Sequence, residues 1–181
     1  MIYATSDIHG YPLDSFLDLL KKVDFGPSDH LYVIGDVIDR NGDGGVAMLR
    51  WMMKQPNVTL IRGNHEAMML DCEFLFDLDL ERFSGRDLSP EQQYALLLWN
   101  QNGALVTITN LTQLKMTDPE EFSGLIKYVR STPLYRSLFI DSESCSKACL
   151  IFLLPLPYSA RSSSRIGVNL SMTVWDALAP S

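Results

Sequence analysis

At 181 residues the chain is the size of one domain, and 46% hydrophobic against 20% charged residues is a globular composition that excludes intrinsic disorder. A net charge of −7 supplies no basic stripe for a phosphate backbone, so no nucleic-acid partner is expected. Cys72, Cys145 and Cys149 are an odd count without CxxC spacing, which predicts reduced thiols rather than a disulfide framework or a zinc site.

The first residues, Met1 to Asp7, read as a strand running straight into a polar loop, with no basic and apolar leader ahead of it. Behind Pro12, Leu13, Phe16, Leu17 and Leu20 recur at helical spacing. Leu31–Ile34 reads as a buried strand ending at Gly35, Val46 to Met53 as a helix stopped before Pro56, and Val58–Ile61 as a third strand ending at Gly63. Strands alternating with helices at this spacing predict βαβ units and a largely parallel sheet. From Asp71 to Glu81, acidic residues interleave with Phe and Leu, as on a solvated amphipathic segment. Ser89-Pro90-Glu91-Gln92 and Asp118-Pro119-Glu120-Glu121 both carry helix start signals, and the second helix continues through Phe122, Leu125, Ile126 and Val129 until Pro133 ends it. The longest apolar run, residues 148–158, is broken by Pro155 and Pro157 and is shorter than the ~20 residues of a bilayer span, so no membrane helix and a cytoplasmic location are expected.

Each early strand ends in a polar cluster: Asp7-Ile8-His9, Gly35-Asp36-Val37-Ile38-Asp39-Arg40 and Arg62-Gly63-Asn64-His65-Glu66. In an open α/β sheet, ligands bind outside the carboxyl ends of the strands, so the three clusters converge on one crevice. Carboxylates crowded there repel one another, and a divalent cation removes the conflict. Asp, His and Asn offer oxygen and imidazole donors that suit Mn, Fe or Zn. A pair of such ions can clamp a phosphoryl group and activate water.

These motifs, with the Leu60–Glu66 wording LIRGNHE, resemble the phosphoprotein phosphatase family of calcineurin-like metallophosphoesterases. Trp99-Asn100-Gln101-Asn102-Gly103 followed by Thr107 is similar to a segment of its bacterial members. The resemblance covers residues 1–140. It implies a layered α/β sandwich, a mixed and largely parallel sheet flanked by helices, incomplete here at its C-terminal end.

The resemblance also implies roles. Asp7, His9 and Asp36 would hold a first metal ion, and Asp36 would bridge to a second ion held by Asn64. His65 would protonate the leaving oxygen, oriented by Asp39, and Arg40 would grip phosphate oxygens. Arg62 and Glu66 match the family wording without an assigned chemistry, and Arg62 is expected to be structural. The family uses two such ions, with Mn the leading candidate, and two further histidines downstream. Here the only histidines are His9, His30 and His65. His30 precedes the second strand, at the end of the sheet remote from the crevice, and is expected to be an ordinary surface residue. One tightly bound ion is therefore expected. Asp39-Arg40-Asn41 also replaces the usual DRG, a change expected to be tolerated.

Residues 134–140 still resemble the family's strand leading to its first late histidine. Residues 141–181 do not resemble it: nine serines fall in these 41 residues, with one possible strand at 148–153. A shifted reading frame, a truncation and divergence would each produce such a tail. The implied activity is hydrolysis of phosphate monoesters, with a phosphoprotein or phosphopeptide as substrate. Two alternatives stand beside it: hydrolysis of dinucleoside polyphosphates, and a catalytically crippled remnant lacking the two downstream histidines.

Overall fold

Three strands sit side by side because each apolar run can bury a face only against its neighbours and against the helices that connect them. The computed structural model of the chain describes residues 1–78 and 88–136. Its order is β1 (Ile2–Ser6), α1 (Leu13–Lys22), β2 (His30–Ile34), α2 (Val46–Met52), β3 (Val58–Ile61), α3 (Asn64–Asp71), a 3₁₀ turn (Glu73–Asp77), α4 (Pro90–Gln101), α5 (Leu105–Thr117) and α6 (Pro119–Ser131). The sheet runs β1-β2-β3 and both pairings are parallel, with Tyr3 opposite Leu31 and Leu31 opposite Val58.

That register puts Leu31, Val33, Val58 and Leu60 on one face, all buried, in one core with Phe16 of α1 and Met48, Leu49 and Met52 of α2. Among the described residues β1 lies at one edge of the sheet, and its Ile2 is 52% exposed. The expected α/β layering with its parallel sheet is therefore present. β1 extends two residues beyond Ala4, and β2 starts at His30 rather than after it.

The two helix starts behave as their sequences require. Ser89 accepts the Gln92 N–H while Gln92 accepts the Ser89 N–H, a reciprocal pair that satisfies orphan donors. Asp118 accepts the Glu121 N–H, and Phe122, Leu125, Ile126 and Val129 are buried along α6. Two helices lacked a usable sequence signal. α3 begins inside the polar motif at Asn64, and α5 is rich in Thr, Val and Ile, which favour helix weakly. Packing of α5 on α6 and α2, with Leu111 and Leu114 buried, overrides that propensity.

Residues 134–136 carry no regular structure, and the remainder of the expected strand, 137–140, lies outside the described residues. So do the possible strand at 148–153, Cys145, Cys149, and the end of the acidic segment from Asp79. Cys72 is a free, buried thiol whose pKa is pushed up to about 12, by burial and then by Asp71. No described helix is long and apolar enough to cross a membrane.

Candidate metal centre and acid pair

All three polar clusters stand where the strands end, and their loops are stitched together there. His9 N–H donates to Asp36 O at 2.8 Å and Gly10 N–H to Val37 O at 2.8 Å. The His9 ring donates from Nδ1 to the Ile38 carbonyl at 3.0 Å, which fixes its tautomer and leaves Nε2 on the side of Asp7, 4.0 Å from the Asp7 carboxylate. His9 is buried, whereas the Asp7 side chain is 69% exposed. Asp36 accepts the backbone N–H of His65 at 3.2 Å, at the first turn of α3. The Asn64 amide lies 3.2 and 3.3 Å from the two Asp36 oxygens. Turned one way its nitrogen donates to the carboxylate; turned the other way its oxygen stands beside those of Asp36, a donor set that a shared cation would suit.

Ligating atoms of His9, Asp36 and His65 all lie within 4.8 Å of one another, and the His9 and His65 rings meet edge to face with centroids 4.6 Å apart. Beside them, His65 donates from Nδ1 to Asp39 Oδ2 at 2.6 Å, both residues being almost fully buried. Arg40 donates to the other ring nitrogen, Nε2, at 3.3 Å. Among the described residues no Lys or Arg forms an ion pair with Asp7, Asp36 or Asp39. A crevice holding three carboxylates, two imidazoles and an amide, with no Lys or Arg ion-paired to those acids among the described residues, suits a divalent cation with mixed oxygen and nitrogen ligands.

The backbone here is strained where the side chains are functional candidates. Among the described residues, the non-glycine residues with left-handed φ are Asp7, His9, Asp24, Asp36, Asp39 and Arg40, of which only Asp24 lies outside the three clusters. Each such residue costs about 1–3 kcal/mol and persists only where surrounding contacts over-determine it.

Two residues left without a role now have one. Glu66, fully buried, bridges the second and third loops: its Oε2 accepts N–H groups of Gly63 at 2.8 Å and Asp36 at 3.0 Å, and its Oε1 accepts those of Val37 at 2.8 Å and Ile38 at 3.4 Å. Burial, then the Asp36 charge, pushes its pKa up, and the N–H groups of Val37, Gly63 and Asp36 oppose the shift. Arg62 is structural, as expected. Its guanidinium donates to the Thr132 carbonyl at 3.1 Å and reaches the Arg130 carbonyl, capping the end of α6. His30 sits at the opposite end of the sheet, where Nε2 pairs with Thr59 Oγ1 at 2.8 Å. An apolar hollow of about 480 Å³ between Leu17, Phe25, Trp51 and Pro56 also lies at that far end, and among the described residues no His, Cys, Asp or Glu lines it.

A parallel α/β sheet whose successive strand ends carry these three clusters defines a metallophosphoesterase. Residues 1–145 match the calcineurin-like phosphoesterase family, and the chain belongs to that family. Serine/threonine-protein phosphatase 2 of Escherichia coli is 36% identical over 119 residues, 60% of this chain and 53% of that protein. Serine/threonine-protein phosphatase 1 of Salmonella typhimurium is 36% identical over 91 residues, 48% of this chain and 39% of that protein. The symmetrical bis(5'-nucleosyl)-tetraphosphatase of Chromobacterium violaceum is 38% identical over 71 residues, 38% of this chain and 25% of that protein. The chain thus spans about a quarter to half the length of these curated relatives.

Proposed function

We propose that this chain is a metal-dependent phosphomonoesterase acting on phosphoserine or phosphothreonine in proteins. The observation that carries the reading is the concentration of left-handed backbone at Asp7, His9, Asp36, Asp39 and Arg40, the residues whose side chains surround one crevice. The same reading takes residues 1–140 as the phosphoesterase unit and residues 141–181 as a tail that does not resemble the family, although the family match itself runs to residue 145.

Asp7, His9 and Asp36 would hold a first ion, and Asp36 with Asn64 a second, Mn²⁺ being the best fit to the donors. When bound, such ions supply Lewis-acid charge to a phosphoryl group and lower the pKa of water in the site. The residues themselves do the rest. Arg40, exposed and on a loop, swings from His65 Nε2 to two phosphate oxygens, for which its planar fork is suited. That move frees Nε2 to face the leaving oxygen. His65, held at Nδ1 by Asp39, takes up a solvent proton at the freed Nε2 and, as the imidazolium that Asp39 supports, delivers it to the departing serine or threonine oxygen, returning to the neutral ring with its proton on Nδ1.

Protein substrates are favoured because the two protein phosphatases align over 91 and 119 residues, against 71 for the Chromobacterium tetraphosphatase. The tetraphosphatase relatives favour a second reading, hydrolysis of dinucleoside polyphosphates. A cytoplasmic location belongs to the same proposal, supported by the free Cys72. The test sets a phosphoserine peptide against a dinucleoside tetraphosphate, each with the Mn²⁺-loaded chain and with Asp36→Asn. Slow phosphate release from the peptide that Asp36→Asn abolishes is expected. Turnover of the dinucleotide alone would select the second reading, and none on either substrate would select the crippled remnant.

A further inference from the structure

The segment Trp99 to Thr107 turns the corner between α4 and α5, some sixty residues along the chain from Asp39, yet it supplies most of what surrounds that carboxylate. Trp99 donates its indole Nε1–H to Asp39 Oδ2 at 2.9 Å, the same oxygen that accepts His65 Nδ1–H. Thr107 donates its hydroxyl to the other oxygen, Oδ1, at 2.6 Å, and its Oγ1 accepts the Asp39 backbone N–H at 3.0 Å. Trp99, Thr107 and Asp39 are all 0% exposed. A carboxylate gripped on one oxygen can rotate about its Cβ–Cγ bond. Donors on both oxygens fix its plane, and thereby the direction from which an imidazole N–H can meet it.

The same corner holds the backbone. Asp39 and Arg40 are consecutive residues with φ of 75° and 71°, an unfavourable pair that persists only under outside restraint. Thr107 restrains the first through its N–H, and Gly103 O accepts the Arg40 N–H at 3.1 Å. Gly103 itself has φ of 92°, and a Cβ there would come within 3.0 Å of Arg40 Cγ, so the corner is shaped to admit this arginine.

We propose that Trp99 and Thr107 are positioning residues that act through Asp39 to hold His65 in the single tautomer with its proton on Nδ1. The inference rests on the reading of Asp39 and His65 as an acid pair. A purely structural corner would also bury Trp99 and Thr107 and satisfy both Asp39 oxygens, so the two roles are told apart by what the His65 ring does when one donor is removed.

The test uses the full chain and needs no turnover. Long-range ¹⁵N spectra of the neutral His65 ring are recorded for wild type, Thr107→Val, Thr107→Ser and Trp99→Phe, beside backbone amide spectra and melting temperatures. In wild type the two ring nitrogens should be widely split, with the proton on Nδ1. Thr107→Val, which keeps the shape but loses the hydroxyl, and Trp99→Phe, which loses the indole donor, should each collapse that split toward an average. Thr107→Ser should restore it. A split that persists in either folded variant while its melting point falls overturns the positioning role of that residue; should Thr107→Val fail to fold, Trp99→Phe still decides. A wild-type ring that already averages refutes the acid pair itself, and the positioning role falls with it.

Discussion

Replacing Glu66 by Gln perturbs the loop junction at one pair of atoms. The carboxylate, fully buried, accepts four backbone N–H groups, two on each oxygen, at 2.8 to 3.4 Å. The amide keeps one oxygen and turns an NH₂ toward two of those donors, whichever way it is placed. Each buried donor left unsatisfied costs about 1–3 kcal/mol, so the gross penalty is about 2–6 kcal/mol. Part is offset, because the raised pKa of Glu66 reports a burial cost and repulsion from Asp36 that a neutral amide does not bear. A net loss of about 2–4 kcal/mol remains, or about 5–15 °C in melting temperature for a domain of this size. Because the same contacts hold the Asp36 loop against the first turn of α3, Mn²⁺ affinity should fall about 10–100-fold. Thermal melts and calorimetric Mn²⁺ titration of Glu66→Gln and wild type measure both effects. A variant melting within about 2 °C of wild type with unchanged Mn²⁺ affinity would refute the clamp.

Mn²⁺ titration of the wild-type chain should show one tight site, since beyond the shared Asp36 the second ion has only Asn64, a neutral donor; two tight sites would mean that the tail supplies ligands. Gly63→Ala should destabilise the fold by about 3 kcal/mol although Gly63 has an ordinary φ of −86°, because a Cβ there would overlap Asp36 and lie 2.7 Å from Glu66 Oε2; urea denaturation measures it. His30 has its pKa lowered from 6.5 by burial and then by Arg136. Its neutral form is therefore favoured by folding, and stability should be lost as pH falls below the unfolded value of about 6.5, where the unfolded chain takes up the proton first. His30→Gln should flatten that slope between about pH 7 and 5, which denaturation at several pH values reads directly.

Sequence alone determined the elements whose signals are local. The capped starts at Ser89 and Asp118 show in the order of a few side chains, because a cap is a contact between residues three apart. The three strands show as short apolar runs, the second and third closed by glycine, and their polar ends mark Asp7, His9, Asp36, Asp39, Arg40, Asn64 and His65 as candidates without any geometry. Tertiary structure decided what depends on distant partners. α5 is a helix because α2 and α6 cover it, against the preference of its own β-branched residues. Glu66 became a loop clamp only once the second and third strand ends stood side by side. Likewise Trp99 and Thr107 reach Asp39 from 60 and 68 residues along the chain, and no periodicity or spacing encodes a hydrogen bond between residues whose proximity the packed core alone creates.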